Sequence, residues 1–191
     1  SLDSDVMNVH QKASLGTANL IKYVEDYYRM NDDFDSIVGL SQIMQAEAIR
    51  FAVEAHRRNM PYCMGTLYWQ FNDCWPVISW SSIDYGGNWK ALHYAARKFF
   101  SPILVSIRDL DKKIEIHVIN DQHHEVESRI RLGLFNLNGD ILFKDSSEIN
   151  VEPFSSTIYR AFDKNDFLSG IDLCATVFRA ELFVGGRVLS R

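Results

Sequence analysis

The chain has 191 residues, 47% of them hydrophobic, and a formal net charge of −5 at neutral pH. That hydrophobic share supplies a core for one large or two small globular domains. The acidic balance, with Lys and Arg scattered, leaves no basic stripe to neutralise phosphates and argues against a nucleic-acid partner. No apolar run reaches membrane-spanning length and no signal peptide is visible, so a soluble protein with no membrane partner is expected. The compartment stays open. Beginning abruptly with SLDSD, the chain reads as a piece of a longer polypeptide. Its cysteines, Cys63, Cys74 and Cys174, are odd in number and lack CxxC spacing, which fits neither a disulfide framework nor a zinc site. They are read as buried small hydrophobes.

The first half is helical. From Asn19 to Met30, Leu20, Ile21, Val24, Tyr27 and Tyr28 recur at helical spacing. The polar break at 30–36 supplies an N-cap at Asp35 or Ser36. A helix then runs to about Arg58, with Ile37, Leu40, Met44, Ala48, Phe51 and Ala55 as its apolar set, and Pro61 ends it. Arg57 and Arg58 sit where the helix dipole favours cations.

The stretch 65–94, GTLYWQFNDCWPVISWSSIDYGGNWKALHY, holds all four tryptophans. It opens as a strand over Thr66–Phe71. It passes into a polar loop carrying Asn72, Asp73 and Trp75, and returns as a helix from near Trp89 to Phe100, before Pro102. Strand, loop and helix make a βα unit, whose loop is where α/β barrels hold ligands. Aromatic faces beside amides and carboxylates suit a sugar, the ring covering C–H groups while polar side chains take hydroxyls.

Beyond Pro102 the period becomes two. Ile114, Ile116 and Val118 alternate with outward Glu115 and His117; Ile130, Leu132 and Leu134 alternate with Arg129 and Arg131. Asn138–Gly139 is a hairpin turn and Gly185–Gly186 another. Between Val177 and Phe178 the phase flips, which predicts a β-bulge. About seven short strands at this spacing read as an immunoglobulin-like β-sandwich.

HRRN (56–59), MGTLYWQFNDCWPVISWSSIDY (64–85) and NWKALHYAARKFF (88–100) closely resemble the end of the catalytic barrel of the β-mannosidases of glycoside hydrolase family 2. MNVHQKA (7–13) and QAEAIRFAVEAHRRN (45–59) resemble the family's segment before the last barrel strand. The resemblance implies an α+β layout in two parts. Residues 1–101 would be the C-terminal segment of a (β/α)8 barrel, its helices plus the last strand. Residues 102–191 would be the immunoglobulin-like sandwich, truncated at its C-terminus. The implied activity is that of a retaining exo-β-mannosidase acting on terminal β-mannose of glycans or manno-oligosaccharides, with no cofactor; the compartment is unknown, a periplasmic or other extracytoplasmic one being open to the parent. A β-galactosidase, a β-glucuronidase and a non-catalytic carbohydrate-binding or structural module are the alternatives.

By the same resemblance Trp69 is the floor of the subsite for the scissile sugar. Asn72 and Asp73 are candidate sugar ligands, with an Asx turn the other reading of Asp73. A retaining glycosidase needs two carboxyl groups about 5–5.5 Å apart. Neither family Glu motif occurs here, so no residue of this chain is assigned as catalytic, and the chain alone is expected to be inactive. Glu25, Glu47 and Glu54 read as solvated helix residues. The six histidines are scattered, with no HxxxH or HExxH, and no metal site is expected. The expected partners are a β-mannoside and the N-terminal part of the same polypeptide. A cut barrel edge would promote self-association.

Overall fold

The computed structural model describes residues 2, 4–31 and 33–191. It divides into two compact units: residues 1–53 with 66–99, and residues 54–65 with 100–191.

The first unit is helical. α1 spans Asp5–His10, with the Ser4 hydroxyl accepting from the Met7 N–H at its start. α2 spans Gly16–Tyr27 and buries Val24. α3 spans Phe34–Arg58. Its cap is Asp33 rather than Asp35 or Ser36: the Asp33 carboxylate accepts from the Ser36 N–H at 2.8 Å, and it lies below the usual carboxylate range chiefly through the Ser36 side chain and next through that backbone bond. Residue 32, in the same break, lies outside the described residues. α4 spans Ala91–Phe99, two residues later than expected at its start, since Trp89 bridges Ile83 instead.

The apolar stripe expected on α3 is displaced. Phe51 is 68% exposed, whereas Ala46 and Val53 are buried with Ile49 beside them. They pack with Leu92, Ala96 and Phe99 of α4 and with Tyr68. Positions 46, 49 and 53 step by three and four residues; Ile37 of the expected stripe is buried, but farther along the helix the buried face turns away from Ala48 and Phe51. Hydrophobicity marked Phe51; tertiary contact selected the alanine-bearing face.

The second unit is a β-sandwich of seven strands. β1 (Ile103–Asp109), β2 (Lys113–Asn120) and β5 (Ser155–Asp163) form one antiparallel sheet in the order β1-β2-β5. β4 (Ile141–Val151), β3 (Val126–Asn136), β6 (Thr176–Val184) and β7 (Arg187–Ser190) form the other in that order. Both expected hairpins are present. Gly139 has φ 90° in the β3–β4 turn, and Gly185 and Gly186, at φ 55° and 79°, close a two-residue turn that sets Val184 opposite Arg187. α5 (Lys164–Phe167) follows β5, capped by Asp163.

The core is the inward half of each alternation: Ile103 and Val105; Ile114, Ile116 and Val118; Ile130 and Leu132; Ala180 and Leu182. Phe143, Phe162, Phe167 and Phe178 stack and tilt against one another at one part of it. The bulge expected at Val177/Phe178 is absent, because Thr176 to Phe183 pair with Asn136 to Arg129 without a break. Val177 simply faces outward, and Ala175 belongs to a short 3-10 turn rather than to the strand. Register shifts lie instead at Ile116/His117, Leu134/Phe135 and Leu182/Phe183.

Glu115 and His117, expected on an outward face, are buried. Within this unit the last turn of α3 contributes Glu54, Arg57 and Arg58. Ser106 of β1 donates to Glu54 Oε2 at 2.6 Å and accepts from Arg58 Nη1 at 2.5 Å; Arg58 and Glu54 pair at 3.6 Å. Arg57 pairs with Asp121 at 2.8 Å, and the Ser156 hydroxyl donates to the Arg58 carbonyl. Glu54 is therefore a buried ion-pair member, not a solvated residue; Glu25 and Glu47 are exposed. Burial of the cysteines also fails: Cys74 and Cys174 are exposed and Cys63 is half-buried, all three as free thiols.

Burial pushes the His117 imidazole below its ordinary value of 6.5; the Arg58 and Arg108 charges act the same way, and the bond to Glu115 only partly opposes them. Glu115 lies below its ordinary range: the Lys113 hydrogen bond lowers it most, burial opposes that, and the His117 bond adds to the lowering. For His117 the folded state favours the neutral base, so the unfolded chain binds more protons and stability rises with pH. That contribution is complete above the unfolded His value and is lost as pH falls below it. Glu115 loses its contribution at still lower pH, with the same sign. The urea midpoint of the sandwich is expected to fall between about pH 7 and about pH 5, and His117→Gln to flatten that fall. Circular dichroism at both pH values checks it; an unchanged slope in the variant would refute it.

Candidate functional site

Residues 66–71, expected as a strand, form none. A strand needs a neighbour for its ladder, and among the described residues the only pairings of this region are two isolated bridges, Asn72 with Ile83 and Ile83 with Trp89. Leu67, expected in a barrel strand, is 97% exposed. A closed barrel is not formed by the described residues.

What holds the segment is the returning stretch 80–83. The Gln70 N–H donates to the Trp80 carbonyl at 3.4 Å, Ser82 N–H to Gln70 O at 3.0 Å, Ile83 N–H to Phe71 O at 2.9 Å and Asp73 N–H to Ile83 O at 3.2 Å. The helices hold the stretch in turn. Gln45 Nε2 of α3 donates to the Trp80 carbonyl at 2.8 Å, and Gln42 Oε1 accepts the Ala91 N–H at the start of α4.

Trp69 is 73% exposed, and its peptide bond to Gln70 is cis. Asn72, three residues on, is also exposed, its Nδ2 donating to the Asp73 carbonyl at 3.3 Å. Asp73 is brought close in the chain but turned inward, its side chain 1% exposed. Ser79 Oγ and Gln70 Nε2 donate to Asp73 Oδ1 at 2.6 and 3.2 Å; Ser81 Oγ donates to Oδ2 at 2.6 Å, and Lys90 Nζ lies 3.5 Å from Oδ2. Burial alone would raise this carboxyl; the Ser79 and Ser81 hydroxyls, the Lys90 charge and Gln70 outweigh it and hold it below the usual range. It is a fixed anion, suited to fastening a loop rather than exchanging a proton.

The other aromatics have structural surroundings. Trp75 stacks on His10, centroids 5.5 Å apart, with Lys12 Nζ over its ring and the His10 imidazole bonded to the Pro76 carbonyl. Trp89 lies against His93 and Tyr94 of α4. Trp80 is exposed. Asp84–Gly87 is a turn, with Asp84 Oδ1 accepting the Asn88 N–H at 2.8 Å. Sequence reasoning missed Ser79, Ser81, Ser82 and Lys90. Ser82 and Ser81 are fully buried, and Ser82 Oγ meets Tyr68 Oη at 2.9 Å and His93 Nδ1 at 3.1 Å. The available signal was the hydroxyl run in ISWSS (78–82), six to nine residues after a loop Asp.

Among the described residues no group of three or more His, Cys, Asp or Glu side chains is placed to hold a metal ion, and no helix is long and apolar enough to cross a membrane. Exposed aromatic and amide groups with a fixed carboxylate beneath can bind a polar ligand with an apolar face; alone they provide no carboxylate pair for glycoside hydrolysis.

The chain is similar to several known proteins. Residues 112–191 match the family model described as the Mannosidase Ig/CBM-like domain. The β-mannosidase of Capra hircus is 37% identical over 110 residues, covering 50% of this chain and 12% of that protein. β-Mannosidase A of Aspergillus oryzae is 32% identical over 163 residues, covering 78% of this chain and 17% of that protein. The crystal structure of a β-D-mannosidase from Dictyoglomus thermophilum matches with a TM-score of 0.90 at 30% identity, over 98% of this chain and 23% of that one. The chain thus spans between 12% and 23% of the length of these relatives.

Proposed function

We propose a function from the premise that this chain is the C-terminal portion of a glycoside hydrolase family 2 protein of the β-mannosidase type. Residues 66–99 close a catalytic barrel and supply the floor of its sugar site. Residues 102–191 are a sandwich that follows the barrel segment in the chain and has a structural rather than a catalytic role. The whole protein is a retaining exo-β-mannosidase that removes terminal β-mannose from glycans or manno-oligosaccharides. Its nucleophile and acid/base carboxyls lie outside residues 1–191, so this chain alone is inactive.

One observation carries the reading: Trp69 and Asn72, three residues apart, are both exposed, on a segment tied to 80–83 by hydrogen bonds. The indole covers the C–H face of a pyranose and Asn72 takes a hydroxyl. Asp73 serves the same site from beneath. The exposed Leu67, Trp69, Phe71 and Trp80 meet the rest of the polypeptide or its sugar, and in its absence favour self-association.

The chain alone is expected to release no aryl alcohol from an aryl β-mannoside, and to restore turnover when added to the complementary N-terminal part. In the whole protein, Trp69→Ala is expected to lower kcat/KM roughly 2- to 10-fold, the equivalent of about 0.5–1.5 kcal/mol of stacking. Trp69→Phe should keep most of the activity. Turnover by the 191-residue chain alone would refute the assignment of the carboxyls, and an unaffected Trp69→Ala enzyme would refute the role of the indole.

A further inference from the structure

We propose that Asp73, Ser79, Ser81 and Lys90 form a buried clamp that positions Trp69 and Asn72 for the sugar. They are positioning residues that do not themselves touch it. The proposal rests on the reading above, since it assigns the support of that same site.

The sugar-facing segment has no strand ladder, so its backbone geometry must come from elsewhere. Backbone hydrogen bonds of Gln70, Phe71 and Asp73 run to 80–83. That stretch carries Ser81, whose hydroxyl donates to Asp73 Oδ2 and accepts from Lys90 Nζ at 2.8 Å. Ser79 Oγ, bonded to Asp73 Oδ1, also lies 3.1 Å from Ser81 Oγ and 3.5 Å from Lys90 Nζ. The Lys90 N–H donates to the Ser82 carbonyl at 2.9 Å, so one residue grips the return stretch by backbone and by ammonium. Gln70, between the two sugar-facing residues, donates to both Asn72 O and Asp73 Oδ1.

Four consecutive positions, 70 to 73, are thereby tied to one carboxylate or to the stretch it anchors. The Asp73 side chain is 1% exposed and that of Lys90 15%, so the pair works with little screening by water. A site group held by a satisfied polar network keeps its geometry when ligand is absent, and loosening the network misplaces it. The clamp takes an exposed indole, which packing alone would leave free to turn, and fixes the backbone from which it projects.

The test is a double-mutant cycle in the whole protein with an aryl β-mannoside. Lys90→Met is expected to lower kcat/KM about as much as Trp69→Ala, roughly 2- to 10-fold, while Lys90→Arg stays closer to wild type than Lys90→Met. In the Trp69→Ala background Lys90→Met should cost clearly less than in wild type, because the share of its effect carried by the indole is already lost and only that carried by Asn72 remains. Independent, fully additive losses would overturn the proposal. Hydrogen exchange on the same proteins gives a second readout: amides of 69–73 and 80–83 should exchange about tenfold faster in Lys90→Met, with the sandwich unchanged. Unchanged protection there overturns the clamp even if activity falls. Should wild type hydrolyse no β-mannoside, the functional reading fails and hydrogen exchange alone decides the clamp. Should Lys90→Met not fold, Ser81→Ala carries the same cycle.

Discussion

Arg58→Met is expected to destabilise the sandwich unit by about 3–5 kcal/mol, the range for breaking a buried ion pair from one side. Both partners are almost dry, with Arg58 and Glu54 side chains each 8% exposed. The cost comes chiefly from leaving the Glu54 carboxylate buried with a weakened set of partners, and less from the attraction lost. The distinction is testable. Replacing the group together, as Glu54→Leu with Arg58→Met and Ser106→Ala, removes both charges of this pair and the hydroxyl between them, leaves Arg57 with Asp121, and should recover most of the loss. Guanidinium titrations followed by far-UV circular dichroism measure both proteins. A triple variant as unstable as Arg58→Met would show that the attraction, not the stranded charge, dominates. Removing Arg58 also takes a positive charge from beside His117, so the acid sensitivity of the sandwich should weaken in the same variant.

The second large effect belongs to the helical unit. Phe99, fully buried at the end of α4, joins Ala46, Val53, Leu92 and Ala96 in a small cluster. A cluster of this size has few other side chains to move into a vacated ring volume. Phe99→Ala should therefore cost near the full range for such a truncation, about 3–5 kcal/mol. Leu92→Ala, with a smaller side chain, should cost about 2–5 kcal/mol. All four tryptophans lie between 69 and 89, inside this unit, so their fluorescence reports its unfolding without contribution from the sandwich. A Phe99→Ala chain with an unshifted fluorescence midpoint would mean that α4 is held by polar contacts such as those of Lys90 and Gln42 rather than by its apolar face.

Several features of this protein were determined by local sequence. Alternation placed Ile114, Ile116, Val118, Ile130, Leu132 and Leu134 in the sandwich core, because side chains on a strand can only go to one face or the other. Asn138–Gly139 and Gly185–Gly186 fixed two turns through backbone angles that glycine adopts without strain. The concentration of tryptophan with Asn72 and Asp73 marked the candidate site, and the resemblance carried by residues 56–100 named the family. Only the tertiary structure decided which face of α3 is buried, since Phe51 and Val53 are equally apolar in a sequence but only one meets α4. It decided that Glu54, Glu115 and His117 are buried, because a charge is read as exposed until a partner from another element is known to cover it. It also left Thr66–Phe71 without a ladder. Propensity states that a segment would make a good strand; hydrogen-bonding neighbours decide whether it is one, and here Asp73, Ser81 and Lys90 fasten the segment instead.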